Sequence, residues 1–261
     1  MSYDTDHRRR ILGEVRTACV AGRFSHAVGL MQQGAANLSA GNRRIPVRLL
    51  RTALGEACAD RLVKWCVVRP CVYCNGGREE CAECRGTGEE KGGSVCQDCG
   101  GFGSRRCPFC NGTAFAGYDF VPEGLRTVVM SGRVRLALAR IAAIGKRSPA
   151  RASGTDKPMR VVIELDRCRG VLANACERVR LGDATTPGAA EFSHATAVRI
   201  EKACRAANAK AEAIIGRYLV AIGGRAGGSM SVARAAYLAG VAARPHLAPS
   251  AVETPRVFRR P

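Results

Sequence analysis

Four Cys-x-x-Cys pairs fall within forty residues of this chain, between Cys71 and Cys110. Two thiolates separated by two residues can lie on one tight turn and bind the same ion, and a structural zinc site takes four ligands. Four pairs therefore predict two zinc ions. The eight predicted ligands are Cys71, Cys74, Cys81, Cys84, Cys96, Cys99, Cys107 and Cys110.

The cysteine segment is too poor in apolar residues to fold by packing alone. Eleven glycines lie between Gly76 and Gly117. Ordering its backbone costs about 1–2 kcal/mol per residue, whereas one structural zinc contributes about 10–16 kcal/mol. A disulfide framework is the alternative, but half-site spacing this regular favours metal. Spacing alone leaves open all three ways of combining four pairs into two sites.

The repeated pattern Cys-x-x-Cys-x-Gly-x-Gly resembles the cysteine-rich zinc module of DnaJ co-chaperones. It occurs at Cys81–Gly88 and Cys96–Gly103, and the outer repeats lack the second glycine. The resemblance implies a nested pairing, in which the outer pairs share one zinc ion and the inner pairs share the other.

The formal net charge of +19 is divided unevenly along the chain. Residues 1–70 carry 12 Lys and Arg against 5 Asp and Glu, residues 71–120 carry 5 against 7, and residues 121–261 carry 24 against 10. Two four-thiolate zinc sites would make the cysteine segment still more negative. We therefore expect phosphate binding on the basic flanks, with the segment acting as a splint or a protein-contact surface.

Helical periodicity recurs on both sides of the cysteine segment, and only 5% of the residues are aromatic. The predicted fold is mostly α, a helical domain interrupted by a DnaJ-like two-zinc module with four cysteines per site. Its predicted parts are an N-terminal helical region (1–70), the zinc module (71–117), a C-terminal helical region (118–222) and a basic, partly disordered tail (223–261). Within the tail, residues 231–250 fit either a helix-turn-helix or a loosely docked helix.

Individual helices are predicted from this periodicity and from the breakers between the segments. Two short helices are expected between Arg8 and Gln33, separated at Gly22, and a single helix from Pro46 to Val68. Further helices are expected from Pro122, with Ser131-Gly132 as a candidate kink, from Met159 to Leu181, and after Ser193.

No stretch approaches the roughly 18 uncharged apolar residues of a membrane span. At the start of the chain, Asp4, Asp6 and Glu14 interrupt the pattern of a signal peptide. We therefore expect a cytoplasmic protein with no membrane partner.

Two further stretches resemble the late-gene antitermination (Q-type) proteins of lambdoid phages. One is Ala57-Cys-Ala-Asp60 on a helix leading into the cysteine module, and the other places Cys204, Ala211-Glu212 and Leu219 on a C-terminal helix. The resemblance covers roughly residues 45–120 and 190–222. It implies a factor in a bacterial host cell that binds duplex DNA near a late promoter and modifies a sigma-containing RNA polymerase to read through pauses and terminators.

Phosphate contacts are expected from basic residues of the flanking helices. The nominated DNA-binding residues are Arg160, Arg167, Arg169, Arg178 and Arg180.

Catalysis is not expected. The four histidines are scattered, and the six remaining cysteines fall mostly on apolar helical faces. A DnaJ-like zinc-dependent holdase is one alternative function, although the chain has no His-Pro-Asp tripeptide and no Gly/Phe-rich linker. A zinc-stabilised DNA-binding regulator without a polymerase role is the other.

Overall fold

The computed structural model describes residues 3–38, 45–147, 156–184 and 194–225. At 156–159, 180–184, 194–197 and 220–225 only the backbone is described. The described chain is mostly helical, as predicted. Its helices are α1 (Tyr3–Val20), α2 (Phe24–Ala36), α3 (Val47–Leu54), α4 (Glu56–Val68), α5 (Arg126–Gly145), α6 (Asp156–Ala184) and α7 (His194–Arg225). Two short strands, β1 (Arg78–Glu80) and β2 (Ser104–Arg106), lie in the cysteine segment.

The predicted pair of N-terminal helices is confirmed as α1 and α2. The chain turns between them at Gly22, whose φ of 72° suits glycine. The two helices then pack closely, because Gly34 of α2 leaves room for Ile11 of α1: a Cβ at Gly34 would lie 2.4 Å from the Ile11 side chain.

The single helix predicted from Pro46 to Val68 is wrong, because the chain breaks at Gly55. This glycine adopts φ 79° and ψ 150°, outside the helical region, so it ends α3 and begins α4. An ion pair between Arg51 and Asp60, 3.0 Å apart, joins the two helices across the break. The motif residue Ala59 is fully buried, whereas Asp60 faces solvent beside Arg51.

Beyond the cysteine segment the chain enters helix later than predicted. Pro122 precedes a short 3-10 turn, Glu123–Leu125, and α5 begins at Arg126. Helix α5 continues through Ser131 and Gly132, where a kink was predicted as a candidate. Gly132 leaves room for the side chain of Val67 from α4. Helices α6 and α7 are confirmed, with α6 longer than predicted at both ends. Residues 231–250 lie outside the described residues.

One hydrophobic core joins helices from both sides of the cysteine segment. It runs from Ile11 and Val15 of α1, through Leu62 of α4 and Met130 of α5, to residues of α6 and α7 such as Leu219. The cysteine segment is therefore an insertion in a single helical body. Of the helices within the described ranges, none is both long enough and apolar enough for a membrane span.

Candidate metal centre

The eight predicted ligands form two separate groups of four sulfurs. Cys71, Cys74, Cys107 and Cys110 make the first group, and Cys81, Cys84, Cys96 and Cys99 make the second. Within each group all four sulfurs lie within 4.8 Å of one another, and each group could hold a metal ion. This is the nested arrangement that the DnaJ resemblance implied.

The sulfur separations fit tetrahedral coordination. The Sγ atoms of Cys74 and Cys110 lie 3.7 Å apart, those of Cys81 and Cys96 lie 3.9 Å apart, and those of Cys84 and Cys99 lie 3.7 Å apart. A tetrahedron with metal–sulfur bonds of about 2.3 Å has edges of about 3.8 Å. A disulfide bond is about 2.05 Å long, and none of the fourteen cysteines is in a disulfide bond. The geometry therefore supports metal binding over a disulfide framework.

A two-stranded sheet explains the nested pairing. Strands β1 and β2 are antiparallel, with Arg78 opposite Arg106 and Glu80 opposite Ser104. Cys71 and Cys74, which precede β1, therefore lie beside Cys107 and Cys110, which follow β2. The two pairs between the strands, Cys81/Cys84 and Cys96/Cys99, likewise lie beside each other. Backbone hydrogen bonds extend the ladder into both groups, from Cys107 N to Gly77 O at 2.9 Å and from Cys81 N to Gly103 O at 3.0 Å.

The second group receives matching backbone hydrogen bonds from its two repeats. The N–H of Gly88 donates to the Cys84 sulfur, and the N–H of Gly103 donates to the Cys99 sulfur, both at 3.2 Å. Both glycines have φ near 70–80°. At Gly103 a Cβ would also lie 2.2 Å from the carbonyl oxygen of Gly86. The second glycine of the repeat is therefore favoured by backbone conformation at both positions, and Gly103 is also required by close packing.

These contacts also set the acidity of the second group's thiols. Burial raises the pKa of Cys84, but the Gly88 N–H and the neighbouring thiols outweigh burial and bring that pKa down to about 7. The Cys81 thiol donates to Asp98 Oδ2 at 3.0 Å, and this hydrogen bond raises the pKa of Cys81 to about 12. Metal binding must displace that proton, since the ligand is the thiolate.

The first group is tied to the end of α4. Cys71 N donates to Ala114 O at 2.9 Å, and Ala116 N donates to Arg69 O at 3.0 Å. These two bonds pair the chain entering the segment with the chain leaving it. The first metal group therefore lies at the base of the cysteine segment, where the chain leaves and rejoins the helical body.

Arg133 of α5 fixes this base to the helical body. Its side chain is 3% exposed, and it donates to Cys66 O at 3.1 Å, Val67 O at 3.1 Å and Ala116 O at 2.8 Å. The first two acceptors belong to the last turn of α4, where helical carbonyls lack helical partners. A cation at this position also complements the helix dipole.

Helix α6 holds the sheet between the two groups. The carboxylate of Asp166 accepts two hydrogen bonds from Arg106, one of them at 3.1 Å from Nε, and lies 3.5 Å from Arg78. One turn of helix away, Gly170 lies close to the turn after Cys110, where a Cβ would sit 3.2 Å from Asn111 O. The orientation of the cysteine segment is therefore set by contacts at its base and along its sheet.

The nominated phosphate-binding arginines have mostly internal contacts. Arg167 donates to Gly76 O and to Glu164. Arg169 is 3% exposed and donates to Asn208 and Glu212 of α7. Arg178 lies 4.3 Å from the ring centre of Tyr118, whereas Arg160 is exposed. The side chain of Arg180 lies outside the described residues, and phosphate contact by these arginines stays a prediction.

The cysteines outside the two groups have the environments expected of small hydrophobes. Cys19, Cys66, Cys168 and Cys204 are buried, and Cys58 and Cys176 are half-buried. Burial raises the pKa of Cys66 and of Cys168 to about 11, so both stay protonated at neutral pH.

Sequence reasoning missed the two residues that orient the metal groups, Arg133 and Asp166. A signal for Arg133 was present, because it lies four residues after Val129 and four before Ala137, on the buried face of α5. Asp166 carries no comparable signal, since it lies among charged neighbours on α6 and its partners are on the two strands.

Comparison with known proteins found no match: no protein family, no curated protein and no solved structure resembles this chain significantly. The two tetra-cysteine groups suit a soft divalent metal, and tetrahedral sulfur coordination is typical of zinc and of iron.

Proposed function

We propose that the chain is a two-zinc transcription antitermination factor of the Q type, which binds duplex DNA near a late promoter and acts on RNA polymerase in the cytoplasm of a bacterial host. The function rests on the resemblance of residues 45–120 and 190–222. The observation that carries it furthest is the fixed attachment of an acidic segment, which has two candidate metal sites, to a basic helical body.

The residues that carry the resemblance support this attachment. In α4, Ala59 packs into the core two turns before the carbonyls that Arg133 binds. In α7, Ala211 is buried, and Glu212 accepts a hydrogen bond from the buried Arg169 of α6. The motif residues of both helices thus hold together the scaffold that presents the cysteine segment.

Charge favours protein contact at the far end of that segment. Around the second metal group the exposed carboxylates are those of Glu80, Glu83, Glu89, Glu90 and Asp98. Residues 1–70 and 121–261 carry the excess of Lys and Arg. An acidic surface is repelled by phosphate, so this end is suited to a protein, and the flanks are suited to DNA.

Zinc is the proposed metal, because four thiolates without an open position make a structural site, and seven of the eight cysteines are buried. Elemental analysis of protein purified under reducing conditions should give two zinc ions per chain. Two iron ions, with the visible absorption of an iron–thiolate centre, would contradict this assignment.

Terminator read-through with purified polymerase tests the function. Read-through of a downstream intrinsic terminator should rise only when the template carries the promoter-proximal binding site, and the rise should persist after polymerase has left that site. Unchanged termination with the host's own polymerase, by protein that binds its DNA, would refute antitermination.

Asp166→Asn tests the role of the fixed attachment. The substitution weakens the contact with Arg78 and Arg106 but leaves all eight cysteines, so both metals should remain while read-through falls. Asp6→Asn is the matched control, because Asp6 is an exposed residue of α1 whose ion pair with Arg9 is far from the segment in sequence. Full read-through by Asp166→Asn would show that orientation of the segment does not matter.

A further inference from the structure

Aromatic rings and an arginine form a continuous row, half-buried at the helical body and exposed at the first metal group. The aromatic row, as we define it, contains Phe24, Trp65, Arg69, Phe120, Tyr73 and Phe109. It begins on α2, crosses α4 and ends on the cysteine turns. Neither the metal groups nor the contacts that orient them account for its exposure.

Each member of the aromatic row touches the next. The ring centres of Phe24 and Trp65 are 6.2 Å apart, and the Arg69 guanidinium lies 5.0 Å from the Trp65 ring and 5.9 Å from the Phe120 ring. Phe120 lies 6.2 Å from Tyr73, whose ring stacks on Phe109 at 4.1 Å.

The sequence places these groups on one surface. Arg61 and Trp65 are four residues apart and so share one face of α4, where Arg61 lies 5.5 Å from the Phe24 ring. Arg69 directly follows the end of α4, and its guanidinium lies over the Trp65 ring. Tyr73 and Phe109 each occupy the third position of a Cys-x-x-Cys turn in the first metal group. The paired turns of one metal site thereby hold two rings face to face.

The outer end of the row is open to solvent. Phe109 is 61% exposed, Tyr73 48% and Phe120 38%, and the adjacent Val72 is 72% exposed. A contiguous group of exposed large apolar side chains is typical of a binding surface.

Interleaved aromatic and guanidinium groups suit single-stranded nucleic acid. Bases stack on exposed rings and on arginine planes, and guanidinium groups neutralise phosphate. Residues 1–70, which supply Arg61 and Arg69, carry 12 Lys and Arg against 5 Asp and Glu. Arginines between aromatic rings also occur at protein interfaces, so the excess of Lys and Arg is what favours an anionic nucleic acid.

We propose that the aromatic row binds single-stranded RNA by base stacking. Duplex DNA offers its phosphates but keeps its base faces stacked inside the helix, so it cannot use the rings, whereas RNA regularly presents unpaired bases. The inference goes beyond the proposed function, because RNA binding by the purified protein does not require polymerase or a promoter.

Trp65 reports directly on this surface, because it is the single tryptophan of the chain and lies within the row. Titrating the full-length, metal-loaded protein with a 12-nucleotide oligouridylate should quench Trp65 fluorescence. Anisotropy of the same oligonucleotide, labelled with fluorescein, gives the affinity. Tyr73→Ala and Phe109→Ala should each weaken binding at least about fivefold, the lower limit for loss of one stacked base.

Tyr3→Ala is the matched control, since Tyr3 is a 72% exposed tyrosine of α1 outside the row. It should bind like the unsubstituted protein. Metal content and circular dichroism, unchanged in all three variants, would show that the fold is retained.

Several results would overturn the assignment. They are no binding of oligouridylate at low salt, equal affinity of Tyr73→Ala and the control, or tighter binding of oligothymidylate than of oligouridylate. Displacement of the RNA by an unfolded polypeptide at equal concentration would instead make the row a surface for exposed apolar chain. Failure of read-through with intact RNA binding would count against antitermination alone.

Discussion

Replacing Arg133 with methionine should loosen the joint between the helical body and the cysteine segment. The substitution keeps most of the side-chain volume but removes three hydrogen bonds, to Cys66 O, Val67 O and Ala116 O. A buried carbonyl that loses its partner costs about 1–3 kcal/mol. Since the three losses are coupled, we expect the free energy of unfolding to fall by about 3–5 kcal/mol.

Urea unfolding followed by Trp65 fluorescence measures this change, because Trp65 lies directly beside Cys66 on α4. The metal is kept in excess so that both groups stay occupied. Arg133→Lys should fall between methionine and the native residue, because an ammonium retains the charge but cannot reach three acceptors in a fixed fork. Arg135→Met is the control; Arg135 is exposed on the same helix, so its loss should change stability by less than about 0.5 kcal/mol.

The reasoning fails if Arg133→Met is within about 1 kcal/mol of the unsubstituted protein, which is less than the cost of three unpaired carbonyls. Water would then have to satisfy those carbonyls, and Arg133 would not be what orients the segment. A loss of equal size in Arg135→Met would show that the helix, and not the three bonds, is sensitive to substitution.

Three other predictions concern the metal groups and their surroundings. Cys84→Ser should remove the metal of the second group and leave that of the first, so native mass spectrometry should show one ion instead of two; loss of both would show that the groups fold as one unit. Gly103→Ala should lower metal retention against a chelator far more than Gly22→Ala, because both glycines have φ near 70° but only Gly103 has a neighbour, Gly86 O, within reach of a Cβ. Because burial raises the pKa of Cys66 from 9.0 to about 11, the unfolded thiol ionises first. The stability this thiol contributes is therefore complete below about pH 9 and is lost as the pH rises towards about 11. Urea unfolding between those pH values should show a smaller loss in Cys66→Ala, and an unchanged loss would count against this explanation.

Cysteine spacing predicted which eight cysteines make up the two groups, because the two-residue separation within a pair is a local property of a turn. It could not combine the pairs, since that depends on which turns meet in space. The strands that decide this, Arg78–Glu80 and Ser104–Arg106, are three residues long and have no alternation of apolar and polar residues. The family resemblance implied the pairing that the sheet produces, whereas periodicity gave no sign of it.

The helices were predictable to the extent that their breakers act locally. Gly22 ended a helix in both the prediction and the structure, but Gly55 lay within a continuous apolar pattern and still separated α3 from α4. A glycine inside a helical pattern can either continue the helix or end it, and tertiary contacts decide which of the two occurs. Here Leu54 of α3 and Leu62 of α4 are buried in the same core, whereas the exposed ion pair of Arg51 with Asp60 adds little.

The count of charged residues was the least reliable guide to the positively charged surface, because it treats every arginine as a surface residue. Arg133 and Arg169 are each 3% exposed, and their partners are 66 and 43 residues away in sequence. An arginine carries a long apolar stem and five donors, so it can join elements that no local pattern connects. The excess of arginine beyond the cysteine segment therefore serves two purposes. Some arginines join α5 and α6 to the segment and α6 to α7, and others provide positive surface. The positive surface available to phosphate is accordingly smaller than the sequence charge suggests, and exposed residues such as Arg160 make up a larger share of it.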